Sequence, residues 1–419
     1  MKKLTATLSL TFAMLALCLQ SLLPVAEAQQ IKAVPPFIFD KAAYEKGVRA
    51  AFDGKVMGYA TVLIKHGQVV SEVAGGLARN AADGNVKMTT SIPANIGSTI
   101  KFTGGVTLLH LFESKSRTRS MNDWLSLPIY TYFPKIWQDG MDASIKKITF
   151  RHLLQHRSGF PKNVSGEDLG DDGVKRMFDY LAAGVTDANF DKRVYANANV
   201  SLITYLIPMV ANPSLLNIVN QEAAQKKWKA EEAPIHKRIA DEWEKYMHGQ
   251  IYSKITPAIK PSCNPTVEYA KLNKIWAPDY KSATDTGKGS TRDSRATNGY
   301  CQAQGGWYIT ARELAAFVAN FNATNTLVSE QTRDLMFDDD NQNERLVWSF
   351  PISDPLMQQK FKLQVLPYMG GDHGGAHATI LMLPNEYYAI GIINSNDMGS
   401  GGVTKGLLEA FKSGIGSGE

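Results

Sequence analysis

Ser98 and Lys101 stand three residues apart in Asn95-Ile96-Gly97-Ser98-Thr99-Ile100-Lys101. On a helix that spacing puts both side chains on one face, one turn apart. A serine hydroxyl attacks an acyl carbon usefully only when a base takes its proton, and an amine held close by and partly desolvated is such a base. Asn95 and Gly97 read as a loop-to-helix junction, and Val106, Leu108, Leu109, Leu111 and Phe112 recur behind it at roughly helical spacing. The alternative is a helix-start serine followed by a solvated lysine. Ser144-Ile145-Lys146-Lys147 satisfies the same pattern, so the motif alone does not decide.

The elements that must position this pair are legible on both sides of it. Asp40 reads as the cap of a helix carrying Tyr44, Val48, Ala51 and Phe52 on one face. A hairpin follows, with strands over 59–65 and 68–74 and a turn at His66-Gly67. Near the other end, 364–369, 376–383 and 387–393 read as strands, and a helix over 403–411 closes the chain. Between these ends the text is mostly helical. Val200 to Val210 reads as buried, 211–234 as a polar insertion, and Ile235, Ile239, Trp243 and Tyr246 as core contacts at helical spacing. Thr310 and Glu313 fit a capping box. Strands at both ends with helical matter between them predict an α+β fold whose termini share one sheet.

His152 and His156 are four apart and offer two nitrogens to a metal, but no glutamate follows His152 and no third ligand is evident. They read as structural, and neither a metal nor another cofactor is expected. The glycine-rich acidic loop over 166–173 and the acidic run 338–340 read as solvated surface; the latter lacks the glycine of a calcium loop.

With 44% hydrophobic and 20% charged residues, the chain of 419 has the composition of an ordinary globular protein. Its 45 basic and 40 acidic residues give a net charge of +5. No basic tract with interleaved aromatics is present, so nucleic acid is not an expected partner. Lys2 and Lys3, an apolar run over 8–19 and Ala26-Glu27-Ala28 read as an export signal over residues 1–28. Cleavage after Ala28 leaves a mature domain over 29–419, periplasmic or secreted, with no stable membrane span. The apolar run is short for a span, and a lipoprotein reading of Cys18 meets a bulky Leu17. Cys263 and Cys301 remain after cleavage and are candidates for a disulfide. Closing that loop contributes roughly 4 kcal/mol in the chain-entropy view; two buried thiols are the alternative.

Taken in order, Ser98-Thr99-Ile100-Lys101, Tyr195-Ala196-Asn197 and His373-Gly374-Gly375 resemble the three active-site boxes of the serine β-lactamase and penicillin-binding-protein family. The resemblance is to the branch of class C β-lactamases, D-alanyl-D-alanine carboxypeptidases and family VIII esterases. The text from Ile148-Thr149 through His152-Leu153-Leu154 to His156, Ser158 and Gly159 is similar to the family's, as are Gly305-Gly306 to Leu314 and the strands after His373. Tyr-x-Asn occurs once among 16 tyrosines.

This resemblance implies an antiparallel sheet flanked by N- and C-terminal helices plus an all-helical region, within about 100–300, and a site in the cleft between them. It implies Ser98 as nucleophile, Lys101 as the group that helps deprotonate it, Tyr195 in proton relay and Asn197 orienting substrate and lysine. A phenol titrates near 10 in water, so Tyr195 would need a cationic neighbour such as Lys101 to serve as a base. The third box implies a strand edge at which His373, Gly374, Gly375 and Ala376 bind substrate, with the N–H groups of Ser98 and Ala376 as an oxyanion hole.

His373 stands where classical β-lactamases carry lysine, so its charge depends on pH. His377 is expected to face solvent from its strand. A Ser-His-Asp triad using Asp372 and His373 is rejected, because no Gly-x-Ser-x-Gly elbow occurs and the two residues adjoin. The expected substrates are small esters and D-amino-acid amides or peptides, with weak β-lactam hydrolysis. The contrasting expectation is a catalytically weak relative that binds cell-wall peptides or a protein.

Overall fold

A computed structural model describes residues 34–160, 177–294, 301–337, 345–348 and 350–415. The expected export segment with Cys18, the loop over 166–173 and the run 338–340 lie outside the described residues.

Helix α1 (Lys41–Phe52) starts at Asp40, whose carboxylate accepts the Ala43 N–H at 3.0 Å. Strands β1 (Gly58–Lys65) and β2 (Gln68–Arg79) are joined by a turn in which His66 (φ 45°) and Gly67 (φ 75°) are both left-handed. A two-residue turn of that kind matches the twist of the strands it connects. Strand β3 (Val86–Lys87) lies at the sheet edge, and β4 (Ala94–Asn95) leaves the sheet to pair with β5 (Tyr308–Ile309). Helix α2 (Ile100–Ser114) carries the first motif. The helical region follows, and its spine is α3 (Asn197–Ala211), with residues 198–210 all buried.

Helix α4 (Ala311–Ala323) begins with the Thr310–Glu313 capping box. Strands β6 (Phe350–Ile352), β7 (Leu366–His373), β8 (Ala376–Leu383) and β9 (Tyr387–Ile393) and helix α5 (Ser400–Gly414) complete the fold.

The seven-stranded sheet runs β3-β2-β1-β9-β8-β7-β6, every pair antiparallel. Its centre joins the two ends of the chain, with Thr61 opposite Gly391 and Val62 opposite Ile390. Side chains alternate between faces. On one face Gly391 lies beneath Val403 and Leu407 of α5; on the other, Tyr388 sends its hydroxyl to Asn322 of α4 at 3.0 Å. Helices α1 and α5 meet at Gly47, where a Cβ would stand 2.8 Å from Ala410 Cα. This is the α+β architecture expected from the sequence.

Three local readings change. The polar stretch over 211–234 contains a helix, Pro213–Gln225, started by Asn212. His377 is buried, 4% exposed, and bridges Asp372 Oδ1 (2.6 Å) and Asn396 Oδ1 (3.0 Å) instead of facing solvent. Strand β7 runs to His373 where the sequence suggested an end at Met369, so Gly370 and Gly371 are strand residues. Close packing explains them. A Cβ on Gly371 would lie 2.1 Å from Ile96 O and 2.4 Å from Thr99 N, and one on Gly370 would lie 2.6 Å from Ser400 Oγ. Cys263 and Cys301 form a disulfide, Cα–Cα 5.7 Å. No single helix among the described residues is long and apolar enough to cross a membrane.

Because Gly371 meets backbone and not a flexible side chain, Gly371→Ala is expected to lower unfolding stability by about 1–3 kcal/mol, the usual cost of overpacking. An unchanged urea midpoint would contradict that contact. Burial pushes His236 down to about 3, so it is neutral in the folded chain, whereas the unfolded chain takes up a proton below about 6.5. Its contribution is therefore lost as pH falls from about 6.5 towards 3, by up to about 1.4 kcal/mol per pH unit. Denaturant titrations between pH 7 and 5 should show His236→Phe with a shallower loss than the wild type; equal slopes would contradict a buried neutral imidazole.

Candidate active site

The site begins where the β4–β5 ribbon hands the chain to α2. Asn95 pairs with Tyr308, and the Ile96 N–H donates to Trp307 O at 3.0 Å, fixing the approach. Gly97 then turns with a left-handed φ of 49°, its N–H held by Asn95 Oδ1 at 2.9 Å. There is no room for a side chain: a Cβ there would stand 2.8 Å from Asp372 N and 2.9 Å from Gly371 C. A tight turn over Gly97–Thr99 follows and leads directly into α2.

Ser98 is half-buried at this junction, and Lys101, 2% exposed, lies one turn further on. Lys101 Nζ is 2.6 Å from Ser98 Oγ and donates to Gln304 O at 2.5 Å. The Tyr195 hydroxyl donates to Ser98 Oγ at 3.1 Å, and Lys101 Nζ lies 5.5 Å from the Tyr195 ring centre. The structure thus brings Ser98, Lys101 and Tyr195 onto one oxygen atom, although Tyr195 is distant in sequence. Asn197 is the first residue of α3, and its Oδ1 is buried with no partner among the described residues. The second Ser-x-x-Lys is used otherwise, Ser144 bonding Asp142 and Lys147 pairing with Asp187.

The third box is placed differently from the sequence expectation. Gly374 and Gly375 form the two-residue turn between β7 and β8, with Gly374 left-handed at φ 52°. The closing pair of such a hairpin, here His373 and Ala376, exchanges both backbone hydrogen bonds. The Ala376 N–H is therefore spent on the hairpin and is not available as an oxyanion donor. Gly375 is pressed onto Tyr280 instead, where a Cβ would be 2.2 Å from its carbonyl oxygen. Alternation along β7 turns the backbone groups of Gly370 and Asp372 outward from β8, and it is Gly371 and Asp372 that lie against Gly97–Thr99. Adjacent Gly370-Gly371 was the sequence signal for this edge.

His373 reaches the Ser98 loop indirectly. Its Nδ1 is 3.1 Å from Asn95 Nδ2 and 3.3 Å from Asp279 Oδ2. Burial pushes the Asp279 carboxyl above its usual range, while His373 and Asn95 draw it back. Asp372 and His377 form a separate bonded set in which Asp372 also accepts from Ser400 N (2.6 Å) and Ser400 Oγ (2.7 Å). Against partial burial, the bonds from His377 and Ser400 hold the Asp372 carboxyl below the usual range. Asp372 thus anchors α5, and its side chain is not paired with His373 or Ser98.

His152 and His156 bind protein groups. His152 Nδ1 accepts the Thr149 N–H at 3.0 Å, and His156 Nδ1 accepts the Ala196 N–H at 3.3 Å. Beyond Tyr195 the cleft wall is aromatic: Phe350 lies 5.6 Å from the Tyr195 ring and Tyr368 5.4 Å from Phe350. A separate groove of about 1160 Å³ runs beside Glu113 and Ser329, but Glu113 is already bonded to Ser329 and Thr332.

A sequence model of the family Beta-lactamase matches residues 41–410. No curated protein sequence matches the chain. Among solved structures, FmtA from Staphylococcus aureus superposes with a TM-score of 0.59 at 15% identity, covering 92% of this chain and 95% of that one. A β-lactamase/D-alanine carboxypeptidase from Pseudomonas syringae gives 0.58 at 14%, covering 88% and 97%. A class C β-lactamase from Rhodobacter sphaeroides gives 0.58 at 15%, again covering 88% and 97%. At these identities the structural likeness establishes the fold, while the family match spans nearly the whole chain. With the Ser98 cluster set at the head of α2 in that fold, the chain belongs to the β-lactamase family, the superfamily of β-lactamase-like and penicillin-binding-protein-like serine hydrolases.

Proposed function

We propose that this chain is an exported serine hydrolase that forms an acyl-enzyme on Ser98 and cleaves small esters or D-amino-acid amides and peptides. The observation that carries the reading is the convergence of Lys101 Nζ (2.6 Å) and the Tyr195 hydroxyl (3.1 Å) on Ser98 Oγ. In this reading Ser98 attacks the acyl carbon as its proton passes to the Lys101–Tyr195 pair. The oxyanion takes the N–H groups of Ser98 and of Asp372 at the outward edge of β7. Collapse expels the leaving group, which takes a proton through Tyr195, and water then releases the acyl group by the same route. Asn197 Oδ1, buried and without a partner among the described residues, is the acceptor offered to a substrate N–H or to the lysine.

Substrate class follows from what the edge lacks. Gly370, Gly371 and Asp372, the stretch of β7 that lies on the Ser98 turn, include no lysine to grip a substrate carboxylate, and His373 beyond them is engaged with Asp279 and Asn95. Together with the aromatic wall of Phe350 and Tyr368, this favours neutral esters and amides over β-lactams. The disulfide fits an oxidising compartment, and cleavage after Ala28 would give a mature chain beginning at Gln29. The same departure at the third box favours a second reading, a catalytically weak relative that binds cell-wall peptides.

The test is turnover of a short-chain activated ester by the mature protein. Ser98→Ala should abolish it, and Lys101→Ala and Tyr195→Phe should each lower kcat by about 10²–10⁴-fold with the fold kept. Full activity in Lys101→Ala would contradict the proton-transfer role, and no turnover by the folded wild type would favour the binding reading.

A further inference from the structure

The segment that carries Tyr195 is laced to the one that carries His156. Val194 N–H donates to His156 O at 2.9 Å, Asp191 N–H donates to Arg157 O at 3.0 Å, and the Arg157 guanidinium donates back to Asp191 O through Nε (3.2 Å) and Nη2 (3.1 Å). His156 sits at the end of this lacing, buried, with its ring 4.6 Å from the Tyr195 ring at an interplanar angle of 32°. Its Nδ1 faces two donors, the Ala196 N–H at 3.3 Å and Asn199 Nδ2 at 3.2 Å.

A backbone N–H can only donate, so Nδ1 must be the unprotonated nitrogen and the ring must be the neutral Nε2–H tautomer. Burial, with the nearby charges of Lys101 and Arg193 adding to it, pushes His156 down to about 3, which agrees with that geometry. The backbone here is left-handed as well, φ 57°, a conformation that histidine and asparagine adopt more readily than most residues.

We propose that His156 is a positioning residue for the reaction: its Nδ1 fixes the Ala196 amide and its ring seats the Tyr195 phenol against Ser98. This rests on the reading of Tyr195 as a proton-transfer group. The contact is specific in two respects that a space-filling residue would lack. It requires an acceptor at one atom, and it requires that atom to stay unprotonated beside Lys101. It also gives the His156-x-Ser158-Gly159 segment a chemical task in a site that it does not line with a reacting group.

The test compares His156→Phe, which keeps an aromatic ring and loses the acceptor, with His156→Asn, whose Oδ1 can stand in for Nδ1 and whose backbone tolerates the left-handed conformation. His156→Phe is expected to lower ester kcat by about 10–100-fold with KM within about threefold. His156→Asn should recover to within about fivefold of wild type. The pair Tyr195→Phe and His156→Phe should be no slower together than Tyr195→Phe alone, because one acts through the other. Wild-type kcat in His156→Phe, equal impairment in both His156 variants, or additive losses would overturn the proposal while leaving Tyr195 in its role.

Wild-type kcat in Tyr195→Phe would instead remove the reading on which it rests, and the proposal with it. A variant that does not fold is bypassed by nitrogen NMR of the wild type. The His156 ring should be the neutral Nε2–H tautomer from pH 8 to 5; an Nδ1–H ring, or titration near 6.5, would overturn the assignment.

Discussion

The contact on which the rest depends is between two stretches of backbone. The turn over Gly97–Thr99 lies directly on β7 at Gly371, backbone against backbone, with glycine on both partners leaving room for the approach. Such an approach is open only to glycine, and it fixes the distance from Ser98 to the strand edge. The same contact explains why β7 continues through two glycines and why Gly97 takes a left-handed φ. Thr99 adds a tether, its hydroxyl donating to Ala378 O at 3.2 Å on the next strand. The turn with Ser98 and the helix with Lys101 are therefore held to the sheet at the point where the proposed acyl group would bind.

Around that contact the polar groups are held in pairs and chains. Lys101 is buried, which is costly for a polar nitrogen without partners; the Gln304 carbonyl and Ser98 Oγ supply two. Gln304 is itself held through its side chain by Ser201 of α3. Helix α2, the spine of the helical region and the loop before β5 are thus joined through one lysine and one glutamine. On the strand side, Asn95 links Gly97 to His373 and Asp279, and Asp372 links β7 to the start of α5. In the proposed reading, rigid elements on both sides of the cleft leave the Ser98 hydroxyl as the group offered to a substrate.

Much of this was legible in the sequence where the information is local. The spacing of Ser98 and Lys101, the Asp40 and Thr310 caps and the strands over 376–383 and 387–393 are set by neighbours a few residues apart. Tyr195 needed the ordered company of the other boxes, since nothing in its own surroundings separates it from a core aromatic. The third box was misplaced because Gly370-Gly371 resembles loop punctuation; only the tertiary approach of Ile96 and Thr99 makes these glycines strand residues. His377 read as solvent-facing because alternation cannot say which carboxylate and amide await it. Asp279 and Gln304 carried no local signal at all: one is a buried acid whose partner lies 94 residues away, the other acts through its carbonyl.

The central claim is that Ser98 is the nucleophile. It is tested most directly by treating the mature protein with a serine-reactive phosphonate and locating the adduct by intact mass and peptide mapping. One adduct per chain, on the peptide containing Ser98 and missing in Ser98→Ala, is the predicted result. A folded protein that takes no adduct, or takes it on another residue, would contradict the account.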